Sequence, residues 1–127
     1  SDKNPIFYLQ YAHARICNII KHGESQGFQF SDNFDPSILN DENELKLIKL
    51  MSNFPIIMHT ALETLEPQNI ANYLQSLATY FHKFYGTCKV ITKNKELTQA
   101  RLGLIFSTKI ILSTGLSILG ISAPEKM

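Results

Sequence analysis

The chain has 127 residues, 44% of them hydrophobic and 18% charged, with a formal net charge of +1 and two cysteines. That balance excludes a disordered or low-complexity chain, and the length suits one domain, residues 1–127, whose core needs no disulfide or metal staple. The global charge is not the basic excess usual in nucleic-acid binders, but residues 1–66 carry five basic and nine acidic side chains while residues 67–127 carry seven basic and two acidic.

Ser1-Asp2-Lys3 leads straight into the first helical pattern without a signal or transit sequence, and the missing initiator Met suggests an excised fragment. Asn4 is placed to cap a helix that has Pro5 at its first position and runs to Ile20. Ile6, Leu9, His13, Ile16 and Ile20 form one stripe of this helix, suited to a bundle core. His13 therefore reads as a hydrogen-bonded interior histidine. Tyr8, Tyr11 and Arg15 fall on a second stripe, which requires either a second packing partner or a ligand.

Residues 23–40 are rich in turn formers and read as a long surface loop. Asp41 followed by Glu44 resembles a capping box, and the helix it opens halts near Phe54-Pro55. Pro55 starts another helix through Ile57, Ala61 and Leu65, and Pro67 opens the next by the same device. There Ile70, Leu74, Leu77, Phe81 and Phe84 make a clean core stripe, and Gly86 is the expected stop.

A basic connector, residues 87–95, precedes a last helix from Glu96 to Leu119 that is apolar on more than one face. The longest uncharged run there, Ile110 to Pro124, falls short of the about 20 residues a bilayer span requires, and Lys109 interrupts the helix, so no membrane span is expected. Gly120 ends the helix and leaves residues 121–127 as a tail. No strand pattern occurs, and five to six helices account for the chain. The expected fold is an all-α helical bundle.

The four histidines lie on different segments without metal-ligand spacing, and no phosphate loop, nucleophile elbow or nucleotide fingerprint is present, so neither a metal nor a catalytic site is expected in this chain. Cys17 and Cys88, with no secretory signal, read as reduced thiols.

The segment Tyr8-Leu9-Gln10-Tyr11-Ala12-His13-Ala14-Arg15 resembles the opening of the C-terminal domain of arginyl-tRNA synthetases. The resemblance continues in order through Asn53-Phe54-Pro55, Tyr73-Leu74, Phe81-His82-Lys83-Phe84-Tyr85, Cys88-Lys89-Val90, Ala100-Arg101-Leu102 and the run from Gly115 to Met127, so it covers essentially the whole chain. That family calls this part the DALR anticodon-binding domain, a helical bundle that grips the tRNA anticodon stem and loop. The resemblance implies arginine tRNA as partner, an upstream catalytic domain that uses ATP and arginine, no cofactor in this fragment, a cytoplasmic location and a monomer.

Single-stranded anticodon loops present splayed bases, which proteins hold by stacking on aromatic rings and guanidinium planes. Tyr8, Tyr11, Arg15, His82 and Tyr85 are residues of that kind, while Tyr73 and Tyr80 lean toward the core and Tyr11 suits either role. By resemblance Tyr8, Ala12, Tyr85 and the terminal Met127 match positions that line the anticodon-loop pocket. Tyr8, Tyr85 and Met127 are accordingly expected in one shared pocket. Lys83, Lys89, Lys93 and Lys95 are candidates for the phosphate backbone. Lys126 stands where arginine is common in the family, keeping the charge and losing the bidentate fork. The competing reading of the Tyr8/Tyr11/Arg15 stripe is a docking face for another chain or for the catalytic domain.

Overall fold

A computed structural model describes residues 4–31 and 34–127. Asp32 and Asn33, expected in the long loop, lie outside the described residues, as do Ser1 to Lys3. Five α-helices follow one another: α1 (Pro5–Ser25), α2 (Glu42–Ser52), α3 (Phe54–Thr64), α4 (Gln68–Thr87) and α5 (Lys95–Ile118), with a 3-10 turn at Pro36–Ile38 before α2. The described residues contain no strand, as the all-α expectation requires.

Local chemistry sets the helix ends. The Phe7 N–H donates to Asn4 Oδ1 at 3.0 Å, so the expected cap of α1 is formed. At α2 the capping box closes in both directions, with the Asn43 N–H on Asp41 Oδ1 at 2.8 Å and the Asp41 N–H on Glu44 Oε1 at 2.9 Å. Asn53 alone separates α2 from α3. The expected stop at Gly86 is corrected, because α4 runs on to Thr87 and ends only where Cys88 turns extended, its N–H still bonded to the Phe84 carbonyl at 2.8 Å. Gly120 does end α5: it takes a φ of +74°, and the Ile121 N–H returns to the Leu116 carbonyl at 2.8 Å.

Helix α4 is the axis of the bundle, packed against each of the other four helices. Its expected stripe of Ile70, Leu74, Leu77, Phe81 and Phe84 is buried throughout. Leu9 and Ile16 of α1, Leu47 of α2 and Ile105, Leu112 and Leu116 of α5 close the same core. Each such side chain contributes about 1.5–3 kcal/mol by leaving water. Ile6 departs from the expected α1 stripe and is exposed, as a first-turn residue before the packed part of the helix. By length and composition α5 is apolar enough to cross a bilayer, but here it supplies core residues to the bundle.

Pairings along the helices fix their directions. Tyr8 meets Thr79 while Arg15 meets Tyr85, so α1 and α4 run parallel. Gly115 packs on Leu74 and Arg101 reaches the Lys89 carbonyl, so α5 runs antiparallel to both. The residues after α5 then return along α1: Gln10 Nε2 donates to the Ser122 carbonyl at 3.0 Å, and His13 donates from Nδ1 to the Pro124 carbonyl at 2.9 Å. His13 is 3% exposed, the interior histidine that its stripe predicts. The long loop is tied down by aromatics. Phe34 sits in a niche opened by Gly103, where a Cβ would lie 2.5 Å from its ring, and Phe30 stacks on Phe106 of α5 with centroids 3.8 Å apart.

Candidate nucleic-acid interface

Because α1 and α4 run parallel, the second stripe of α1 faces the last three turns of α4, and five of the expected residues meet there. The Tyr8 hydroxyl is 3.2 Å from Thr79 Oγ1, and the Tyr8 ring lies 5.5 Å from that of His82 between centroids. Tyr11 stacks on His82 at 5.9 Å with 26° between the planes. Arg15 Nη1 lies 3.2 Å from His82 Nδ1. Its Cζ stands over the Tyr85 ring, 4.5 Å from the centroid. Phe81, fully buried, supports the group from the core side, parallel to Tyr85 within 12°.

A guanidinium has no acceptor, so Arg15 donates and His82 Nδ1 accepts. The neutral ring then carries its proton on Nε2. That atom is buried and has no hydrogen-bond partner among the described residues. Burial first, and then the positive charge of Arg15, hold the His82 pKa below its usual value, so the ring is kept neutral as its acceptor role demands.

Two hollows open beside the Arg15–Tyr85 pair. One, of about 600 Å³, is walled by Tyr85, Gly86, Lys89 and Ile91 against Asn18 and His22. The other, of about 490 Å³, lies between Tyr11, Arg15 and Asn18 and the chain end, Glu125 to Met127. The expected single pocket of Tyr8, Tyr85 and Met127 is therefore corrected: Tyr85 and Met127 line different hollows, and Tyr8 lines neither. Ala12 is also corrected, since it is 0% exposed and its methyl belongs to the core, one position off the outward stripe. Met127 is half exposed, held near Arg15 by the returning tail.

Of the four candidate phosphate lysines, Lys89 lies in the wall of the larger hollow. Lys83 stands over the ring of Tyr80 at 5.6 Å, while Lys93 and Lys95 are exposed where the connector enters α5. None of the four forms an ion pair among the described residues. Sequence reasoning missed Asn18, which is exposed and lines both hollows. The signal was available, because Asn18 continues the stripe of Tyr8, Tyr11 and Arg15 at the next helical step. Among the described residues no group of His, Cys, Asp and Glu is placed to hold a metal ion. Cys17 and Cys88 are free and buried, and burial pushes both thiols up.

A parallel-helix platform of stacked aromatic and guanidinium planes, flanked by hollows and by lysines without ion pairs, makes this an α-helical bundle domain with a surface of the kind that takes up unstacked bases. The DALR anticodon binding domain profile matches residues 9–127, and the chain belongs to that family. It is 43% identical over 127 residues to the arginine–tRNA ligase of Salinibacter ruber, covering 100% of this chain and 23% of that protein. With the arginine–tRNA ligase of Listeria welshimeri it shares 45% identity over 128 residues, with the same coverage of 100% and 23%. The solved arginyl-tRNA synthetase of Thermus thermophilus superposes with a TM-score of 0.82 at 30% identity, over 94% of this chain and 21% of that one. The chain thus spans about a quarter of the length of these ligases, 23% in both.

Proposed function

We propose that this chain binds the anticodon stem-loop of arginine tRNA and serves as the anticodon-binding part of a cytoplasmic, monomeric arginine–tRNA ligase. Activation of arginine with ATP and its transfer to tRNA belong to a catalytic domain outside this chain. The observation that carries the reading is the Arg15 guanidinium layered on Tyr85 and hydrogen-bonded to His82, with one hollow walled by Tyr85 and another by Arg15. Unstacked loop bases take up such planes, each stack being worth about 1–3 kcal/mol, while the lysines meet the phosphates. Gripping the anticodon adds binding energy remote from the reacting ester and orients the acceptor end toward the distant active site.

The test is the affinity of the chain for an arginine tRNA against a non-cognate tRNA across a salt series. Preference for the cognate tRNA and a steep salt slope are expected. Replacing Lys89, Lys93 and Lys95 together by Ala should weaken both complexes alike and shallow the slope. Equal affinity for the two tRNAs would remove the anticodon reading.

A further inference from the structure

Glu44 is 1% exposed, and its carboxylate is used at both oxygens. Oε1 accepts the Asp41 N–H of the α2 cap, and Oε2 accepts from Arg101 Nε at 2.7 Å. The Arg101 fork then donates from Nη1 to the backbone carbonyl of Lys89, also at 2.7 Å. The first turn of α2, the second turn of α5 and the wall of the larger hollow are thereby joined through one guanidinium.

Stability alone does not account for this arrangement, because apolar residues that fill the same space often match or exceed a buried ion pair. What the pair supplies is geometry. A planar fork holds two donors at a fixed angle, one on a carboxylate already anchored by a helix cap and the other on a connector carbonyl. The same wall is held a second time from α2, where Asn43 Nδ2 donates to Thr87 Oγ1 at 2.9 Å. The side chains of Cys88 and Val90 on either side of Lys89 are buried, so the connector is seated while the Lys89 side chain stays exposed.

We infer that Arg101, fixed by Glu44, is a positioning residue for RNA binding, which sets the backbone of Lys89 at the rim of the larger hollow and so places its ammonium for a phosphate. The inference rests on the tRNA-binding reading above. A lysine at position 101 keeps the charge and reaches one acceptor, but it cannot bridge Glu44 and the Lys89 carbonyl with a rigid fork.

The experiment is a double-mutant cycle of Arg101→Lys and Lys89→Ala, read as tRNA affinity and salt slope of the 127-residue chain, with a thermal melt of each variant. Lys89→Ala should lose about five- to tenfold near 0.1 M salt, the worth of one phosphate contact, and lower the slope by about 0.7–0.9. Arg101→Lys should reproduce both changes, and the double variant should bind within about twofold of Lys89→Ala, since a lysine out of place and a lysine removed are the same loss. Losses that multiply in the double variant, or an Arg101→Lys protein with unchanged affinity and slope, would overturn the inference. If Arg101→Lys does not fold, Glu44→Gln enters the same cycle with the same criteria. Failure of the underlying reading has a different signature, because the unmodified chain itself would then bind cognate and non-cognate tRNA equally, and the inference falls with it.

Discussion

The Nδ1–H of His13 donates to the carbonyl of Pro124 across 111 positions of sequence, and that one bond ties the chain end to the first helix. Gln10 supplies a second tie at the Ser122 carbonyl, so the tail is led along α1 until Met127 lies beside Arg15 and Asn18. A buried histidine here does two things at once. It fills core volume, and it fixes the last wall of the smaller hollow.

His13→Ala should therefore lower both stability and RNA affinity. The lost bond and the space left by the buried ring cost about 1–3 kcal/mol, several degrees in Tm. Freeing the tail should weaken arginine tRNA binding measured well below the melting temperature, and His13→Gln should restore part of both if its amide reaches Pro124. A variant that melts normally yet binds poorly would remove the core role of His13.

Much of this was legible in the sequence, for reasons that particular residues make plain. The stripe from Ile70 to Phe84 is regular and wholly buried, so period alone placed the bundle axis. The Tyr8, Tyr11 and Arg15 stripe announced a second face, and in the structure that face meets Thr79, His82 and Tyr85 of α4. Periodicity does not report which distant carbonyl a histidine meets, nor that Glu44 and Arg101 pair across 57 positions. Nor did it show that Phe28, Phe30 and Phe34 turn an irregular loop into a strap over α5, because their partners are a glycine niche and a facing ring on another element. Ala12 was misplaced for a simpler reason. It lies about 40° around the helix from Tyr8, but on the side of buried Ile16, and that is enough to turn a methyl from surface to core.

The linkage of His82 has a definite sign. Burial and Arg15 depress its folded-state pKa, so protons bind more readily to the unfolded chain. The corresponding stability is complete above the unfolded value of about 6.5 and falls as the pH drops through that value toward the folded one. Protonation also fills Nδ1, which removes the acceptor for Arg15 and sets two positive groups 3.2 Å apart. The difference in Tm between the parent chain and His82→Gln should therefore shrink or reverse between about pH 7 and pH 5. The chain holds three other histidines, so the difference between the two proteins is the measurement. A constant difference across that range would dismiss the coupling.

Leu65 closes α3 with a φ of +54°, in the left-handed region that favours glycine, and it is 83% exposed. Leucine there sacrifices about 1–2 kcal/mol of backbone comfort without gaining burial. Leu65→Gly relieves that strain but loosens the unfolded chain, leaving a net gain of up to about 1 kcal/mol. Leu65→Val, β-branched at the same φ, should instead destabilise. The order of melting temperatures, Gly above Leu above Val, checks the backbone argument without reference to RNA.

Tyr85 and Met127 line separate hollows, and this separation changes what their removal should do. Tyr85 carries the Arg15 guanidinium on its ring, so Tyr85→Ala removes a stacking surface and also frees the arginine that lines the smaller hollow. The loss of one base–aromatic stack, about 1–3 kcal/mol, corresponds to about a five- to 150-fold fall in affinity for the anticodon stem-loop. Deleting Glu125 to Met127 opens the smaller hollow and spares the Pro124 carbonyl that His13 holds, so it should weaken binding with little change in Tm. Asn18 lines both hollows and Arg15 joins Tyr85 to the smaller one, so if the hollows take different nucleotides the combined loss should exceed that of Tyr85→Ala alone while falling short of the product of the two. Arg15 stacks on Tyr85 and lines the smaller hollow beside Met127, so Arg15→Ala should be non-additive with each. Affinities of the four variants for one anticodon stem-loop decide the matter: a combined loss no greater than that of Tyr85→Ala alone would mean that a single base bridges both hollows.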